Sequence, residues 1–141
     1  GEGVQDMCQR VIIDFLKRAQ AKGLFPSVLG SFAQGEFKVQ PEDEQCVLYK
    51  SAYLRGQKSV KVAVNDCLPA DPEWEDQFQD GAGDLAGLPA ALVKDGRTVT
   101  LMVRVGDRFR VDFKTKTLGA DALREAAEGF SWPKLKSLAG L

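Results

Sequence analysis

The feature that most constrains this fold is a pair of strand-like segments joined by a short polar turn. Residues 46–54 and 59–64 each have the composition of a strand, and Gly56 between them can take the positive φ of a two-residue turn. With Gly56-Gln57 as that turn, Cys46 lies opposite Cys67 at a non-hydrogen-bonded position, where side chains approach most closely. The register therefore predicts a Cys46–Cys67 disulfide.

A disulfide would indicate an oxidising compartment, so we expect a periplasmic or otherwise exported protein. No signal peptide is visible, but the chain begins with Gly1, and an export signal or a lipid anchor could have been trimmed from it. The third cysteine, Cys8, is expected to be a free, buried thiol. The alternative is a reduced cytoplasmic protein with three ordinary thiols.

The second strand pair is the clearest local pattern in the chain. Within residues 99–113, apolar and polar residues alternate on both sides of a central turn. A two-residue turn would place Val103 opposite Arg110, whereas a three-residue loop pairs Val103 with Val111 on one buried face. We therefore expect the longer loop, with Arg104 and Arg110 pointing to solvent.

Helices are predicted at both ends of the chain. The segment from Val4 to Lys22 has apolar residues at spacings of three and four, which is typical of an amphipathic helix. Asp121 and Ser131 are good N-caps for two helices near the C-terminus. We expect one α+β domain over residues 1–141, a twisted antiparallel sheet built from hairpins and packed by an N-terminal amphipathic helix and a C-terminal helix.

The chain contains no histidine. This excludes mechanisms that need imidazole, including Ser-His-Asp hydrolysis, Cys-His proteolysis and histidine zinc sites. No apolar run approaches the roughly 20 residues of a membrane span, and a net charge of −1 does not favour nucleic acid. We expect neither a membrane span nor a nucleic-acid partner.

The irregular segment over residues 65–97 is strongly acidic. Between Val62 and Val93 there are seven acidic residues and no lysine or arginine. Asp76, Asp80 and Asp84 could supply oxygens to a hard cation such as calcium, although their spacing matches no EF-hand loop. A carboxylate-dependent hydrolase is the other functional alternative, and a solvated acidic loop is the simplest interpretation.

A basic cluster lies on or near the second strand pair. Its members are Arg104, Arg108, Arg110, Lys114 and Lys116. The residues on the polar side of the strands could meet an anionic lipid or an acidic partner. The simpler interpretation is the solvated face of a half-exposed sheet.

The last part of the chain resembles the ending of small exported bacterial proteins, many of them lipoproteins without an assigned activity. The segments that carry the resemblance are Gly87-Leu88-Pro89, Val103-Arg104-Val105-Gly106-Asp107-Arg108-Phe109-Arg110-Val111, Asp121-Ala122-Leu123-Arg124 and Trp132-Pro133-Lys134-Leu135. Over roughly residues 45–141 the layout is also similar in outline to the PsbP/Mog1-like fold. The resemblance implies an exported domain and supplies no catalytic residues.

These observations favour one functional interpretation. We expect an exported, non-enzymatic domain that needs no cofactor and binds a protein or a small ligand. The binding surface would be a sheet face or the 65–97 loop.

Overall fold

The computed structural model describes residues 15–42, 44–79 and 83–141. Eight strands form one curled antiparallel sheet in the spatial order β1-β2-β3-β4-β8-β7-β6-β5. The strands are β1 Val28–Leu29, β2 Phe32–Pro41, β3 Cys46–Arg55, β4 Lys58–Cys67, β5 Gly83–Leu85, β6 Leu88–Asp95, β7 Thr98–Val105 and β8 Phe109–Thr115. The helices of the described residues are α1 Arg18–Lys22, α2 Glu73–Gln77, α3 Ala120–Glu128 and α4 Trp132–Leu138.

The sheet consists of two runs of sequential strands. Strands β1 to β4 lie side by side in chain order, and β5 to β8 do the same from the opposite edge. The two runs meet where β4 pairs with β8, from Lys61 opposite Lys114 to Asp66 opposite Phe109. The central seam of the sheet is therefore a pairing between residues far apart in the sequence.

Both predicted hairpin registers are confirmed. Cys46 lies opposite Cys67 across β3 and β4, and Gly56 in their turn has a φ of 61°. Across β7 and β8, Val103 lies opposite Val111, as the three-residue loop requires. In both hairpins the alternation of apolar side chains sets the register, because a slip of one residue would turn a whole apolar set toward water.

The main core lies between one face of the sheet and the helices α1, α3 and α4. Phe113 on β8 contacts Phe130 and Trp132, whose ring centroids each lie 5.8 Å from its own. The indole of Trp132 keeps a partner in this core, because its Nε1 donates to Ala127 O at 3.0 Å. Both predicted C-terminal helices are present, and Ser131 is the N-cap of the second; Asp121 does not cap the first, because that helix begins at Ala120 with Gly119 as its N-cap.

The predicted N-terminal helix needs correction where the structure describes it. Its residues Val4 to Asp14 lie outside the described residues, as does Cys8. Phe15 to Lys17 are not helical, so no helix runs continuously into Arg18–Lys22. Tertiary contacts explain the break: the Leu16 N–H donates to Asp66 Oδ2 at 2.9 Å, and the Tyr49 hydroxyl donates to the Leu16 carbonyl.

The molecule is largely sheet, with short helices. The sequence does not predict β5, because Gly81 and Gly83 favour a break in regular structure. The structure pairs Gly83–Leu85 with the start of β6 through a tight turn at Ala86 and Gly87, both with positive φ. The short helix α2 follows Asp71, whose Oδ1 accepts the Glu73 N–H at 2.9 Å.

Candidate functional site: the open face of the sheet

Among the described residues, helices cover one face of the sheet and leave most of the other face uncovered. Side chains toward the helices, such as Val62 and Phe113, are buried. Their neighbours along the same strands, Lys61 and Lys114, are exposed on the other side. On that second side, the part of the described chain that covers the sheet is residues 68–79, which lie at one end. We call the uncovered remainder the open face.

Four lysines from four adjacent strands project from the open face as two directly opposed pairs. Lys38 on β2 is the cross-strand partner of Lys50 on β3, and Lys61 on β4 is the partner of Lys114 on β8. Because neighbouring strands lie about 4.8 Å apart, these four positions span about 14 Å across the sheet. We call these four residues the lysine cluster.

The lysine cluster has few counter-charges. Lys38 Nζ lies 3.7 Å from Glu36 Oε2, and Lys50 Nζ donates to the Gln40 side chain at 2.7 Å. Among the described residues, neither Lys50, Lys61 nor Lys114 has a carboxylate oxygen within 4.0 Å. Like charges directly opposite each other destabilise a sheet. The arrangement is therefore costly unless an anionic group offsets it.

The lysine cluster surrounds a groove with a volume of about 810 Å³. Ala52 lies opposite Lys61 and Ala63 lies opposite Lys50, so their short side chains leave space beside the lysines. The described lining of this groove contains no aromatic side chain and no arginine. Sites for single-stranded nucleic acid use aromatic platforms for the bases. This groove instead suits a partner recognised by charge.

Asp112 lies between the groove and α2, and its carboxylate is already engaged. Arg110 donates to it from Nε at 2.9 Å and from Nη2 at 3.0 Å, and Asn65 Nδ2 donates to it at 3.2 Å. Burial raises the pKa of Asp112, and the charge and hydrogen bonds of Arg110 oppose that rise. Asp112 therefore binds Arg110 first, and its charge also interacts with that of Lys114 in the lysine cluster.

Helix α2 lies at the other end of this side of the sheet, over a small second core. Trp74 is 1% exposed and packs with the Cys46–Cys67 pair. Ala70 and Phe78 contact the same cluster from the flanking segment. The disulfide and the tryptophan together fix the position of α2 relative to β3 and β4.

The predicted exposure of Arg104 and Arg110 is wrong, although both point to the predicted side. Their side chains are only 15% and 19% exposed, because α2 lies over them. Arg104 Nη1 pairs with Glu75 Oε1 at 3.0 Å, and Arg110 Nη1 donates to Gln77 Oε1 at 2.8 Å. The Arg110 guanidinium also lies 5.9 Å from the centroid of the Trp74 ring.

The structure divides the predicted basic cluster among three places. Arg104 and Arg110 lie under α2, and Arg108 pairs with Asp66 at the end of the main core. Lys114 joins the lysine cluster. The sequence pattern missed the link between Lys114 and Lys61, because it indicated each hairpin but not the pairing of β4 with β8.

Cys46 and Cys67 form a disulfide, as the register predicts. Their Cα atoms lie 4.2 Å apart, and 21 residues separate them in the sequence. Both residues are buried. This pair supports the second core and holds the start of the 68–79 segment against the sheet.

The acidic candidates for a metal site do not assemble in the described residues. Asp76 lies on α2 and Asp84 on β5, while Asp80 lies outside the described ranges. Across residues 15–42, 44–79 and 83–141, no group of three or more carboxylate or thiol side chains could hold a metal ion. A calcium site or a hydrolytic site in the 65–97 loop stays a prediction.

A buried ion pair forms a second polar site, at the edge of the main core. Asp66 is fully buried and accepts two hydrogen bonds from Arg108, at 2.8 and 3.2 Å. Its Oδ2 also accepts the Leu16 N–H. Burial raises the pKa of the adjacent Tyr49 hydroxyl to about 12; the Asp66 carboxylate adds to this rise and Arg108 opposes it. These groups satisfy each other, which is the pattern of a structural site.

No protein family, curated protein or solved structure matches the chain. Within the ranges that the structure describes, no helix combines the length and apolar character needed to cross a membrane.

Proposed function

We propose that this protein is an exported, non-enzymatic interaction domain that binds an acidic partner at the lysine cluster. The two opposed lysine pairs on an uncovered sheet face carry this proposal. Repulsion between directly opposed lysines destabilises the free protein. An acidic partner relieves this repulsion, so its binding is favourable.

Three observations support the choice of an acidic partner. No residue of the described ranges fills the groove beside the lysine cluster, and alanines lie at its base. Its lining relies on lysine, which is a point charge on a flexible stem, whereas arginine would give directional bidentate recognition. The lack of aromatic residues in the described lining argues against bases as the recognised group. Flexible carboxylates of a protein partner fit this chemistry.

The test measures binding of fluorescent poly-glutamate, at dilute protein and low salt. We expect binding that weakens steeply with salt, since exposed charges are screened over about 10 Å at 0.1 M. In the variant Lys61→Glu/Lys114→Glu the affinity should fall by about tenfold or more. The control variant Lys94→Glu/Lys134→Glu has the same net charge, carries its changes away from the open face, and should bind like the unmodified protein.

Two results would contradict the proposal. One is an unmodified protein that does not bind the acidic polymer. The other is an equal loss of affinity in both charge variants, which would mean that net charge governs binding and the open face does not. Circular dichroism of each variant separates a loss of binding from a loss of folding.

Export is supported by the buried disulfide, since such bonds persist in oxidising compartments. The resemblance to exported bacterial proteins points the same way. Rapid alkylation of free thiols in the cells that produce the protein tests this part. One reactive thiol per denatured chain is expected from the three cysteines, and three reactive thiols would refute both the disulfide and the export argument.

A further inference from the structure

We infer that the acidic partner of the lysine cluster is helix α2 of a second copy of this chain. The inference rests on the proposed function, because the lysine cluster must accept carboxylates. It adds the identity of the partner and the symmetry of the complex.

Helix α2 presents carboxylates away from its own sheet. Trp74 and Gln77 face the sheet, where they contact Arg110. Glu73 and Asp76, three residues apart, are exposed, and neither is within 4.0 Å of a cationic nitrogen in the described residues. Residues three apart lie on the same side of a helix. These two carboxylates are therefore available to another molecule.

The two ends of this side of the sheet are complementary in shape as well as in charge. A helix with its side chains is about 10 Å across, so α2 stands above the sheet beside a groove that no described residue fills. Arg110, under Trp74, and Lys114, in the lysine cluster, are four residues apart on β8. This corresponds to about 13 Å along the strand. The acidic helix α2, which stands above the sheet, therefore lies next to the lysine cluster, which lines the groove.

This arrangement is self-complementary under a two-fold rotation. A two-fold axis parallel to the sheet and perpendicular to its strands turns one copy face to face with the other and exchanges the two ends. The α2 of each copy then lies over the lysine cluster of its partner. Such an interface uses the same surface on both copies and closes as a dimer, without exposed ends that would propagate.

A second copy is favoured over an unrelated acidic protein because one contact satisfies both ends at once. An unrelated acidic segment would neutralise the lysine cluster and leave Glu73 and Asp76 without cations. In the symmetric pair, each set of carboxylates meets a set of ammonium groups, and charge complementarity of this kind fixes partner and orientation.

The test is a charge-exchange experiment with the full chain, read out by sedimentation equilibrium. We expect the unmodified protein to form a dimer at low salt, with weaker association at high salt. The variants Lys61→Glu/Lys114→Glu and Glu73→Lys/Asp76→Lys should each be monomeric, through a loss of about tenfold or more in affinity. An equimolar mixture of the two variants should restore a one-to-one pair.

The mixture is the decisive arm, because each variant alone places like charges on both sides of the interface. The inference is overturned if the unmodified chain associates more weakly than about 1 mM, if either variant remains dimeric, or if the mixture does not associate. Poly-glutamate binding by a monomeric protein would leave the proposed function standing and remove only this inference. A protein that neither binds poly-glutamate nor forms a dimer would refute both the proposed function and this inference.

Discussion

Asp66 shows how one side chain joins three distant parts of the chain. It is fully buried on β4, binds Arg108 just before β8 and accepts the Leu16 N–H from the N-terminal segment. A buried charge is costly unless it is paired and hydrogen-bonded, and here three donors satisfy the carboxylate. Through its hydrogen bond with the Leu16 N–H, the Asp66 carboxylate therefore determines where the residues before α1 attach to the sheet.

We expect Asp66→Asn to lower the free energy of unfolding by between about 3 and 5 kcal/mol. The substitution keeps the shape of the side chain and removes the charge of a fully buried carboxylate that accepts two hydrogen bonds from the Arg108 guanidinium. Urea unfolding of both proteins measures the difference. A change below about 1 kcal/mol would show that water solvates Arg108 well enough to replace its partner. Asp121→Asn, at an exposed position on α3, is the matched control.

Both tyrosines of the chain are expected to resist ionisation. Burial raises the pKa of Tyr49 to about 12 and raises the pKa of Tyr53, whose hydroxyl donates to Pro26 O at 2.8 Å. In the native protein the tyrosinate absorbance should therefore be absent near pH 10, the usual pKa, and should appear there in denaturant.

The same shift predicts a loss of stability at alkaline pH. An unfolded tyrosine releases its proton near pH 10, while folded Tyr49 keeps its proton until about pH 12, so the folded state binds more protons between these values. Stability should fall as pH rises through this window. A native titration with a midpoint near pH 10 for either tyrosine would contradict the burial described here.

At the scale of elements, α2 depends on its attachments more than on its own sequence. Five residues are too few for a stable isolated helix. Its position comes from the second core around Trp74 and from the polar contacts of Glu75 and Gln77 with the sheet. The Cys46–Cys67 bond forms one wall of that core. Loss of the bond should therefore weaken α2 more than the main sheet.

We expect Cys46→Ser/Cys67→Ser to make the 68–79 segment sensitive to proteolysis while β7 and β8 stay protected. The reason is local opening: the second core loses its disulfide, whereas the main core keeps all its helices. Limited proteolysis with mass spectrometry locates the first cuts. Uniform loss of protection across both cores would show that the two cores unfold together.

Arg110 gives a related prediction from the corrected position of α2. A solvent-facing arginine on this strand would contribute less than about 0.5 kcal/mol. Because Arg110 pairs with Asp112 and packs on Trp74, Arg110→Met should cost about 1–3 kcal/mol by leaving that carboxylate partly buried without its main donor. Lys134→Met, at an exposed position on α4, serves as the control in the same denaturant series.

The sequence was informative where the determinants are local. Alternation and turn chemistry set both hairpins, so the Cys46–Cys67 and Val103–Val111 pairs were predictable. The pairing of Lys61 with Lys114 was not, because no turn joins β4 to β8 and either hairpin pattern is compatible with several neighbours. The lysine cluster depends on that pairing. The covering of Arg104 by α2 depends on tertiary contacts that periodicity does not encode.

At the scale of the whole molecule, the sheet brings together two halves that are each built from sequential strands. Residues 28–67 form one half and residues 83–115 the other, and the β4–β8 ladder joins them at the centre. The Asp66–Arg108 ion pair crosses the same boundary, and the Glu75–Arg104 pair joins α2, which follows the first half in the chain, to the second half. Within each half, neighbouring strands are also consecutive in the sequence. Formation of the complete sheet depends on the long-range pairing of β4 with β8.

This seam makes the chain a candidate for splitting into complementary fragments. A protease site placed between Gln79 and Gly83 would yield one piece ending after α2 and another beginning at β5. The cut protein should elute as one species in gel filtration, separate in urea and regain its circular dichroism when the denaturant is diluted away. Fragments that part without denaturant would show that covalent continuity, more than the β4–β8 seam, keeps the two halves together.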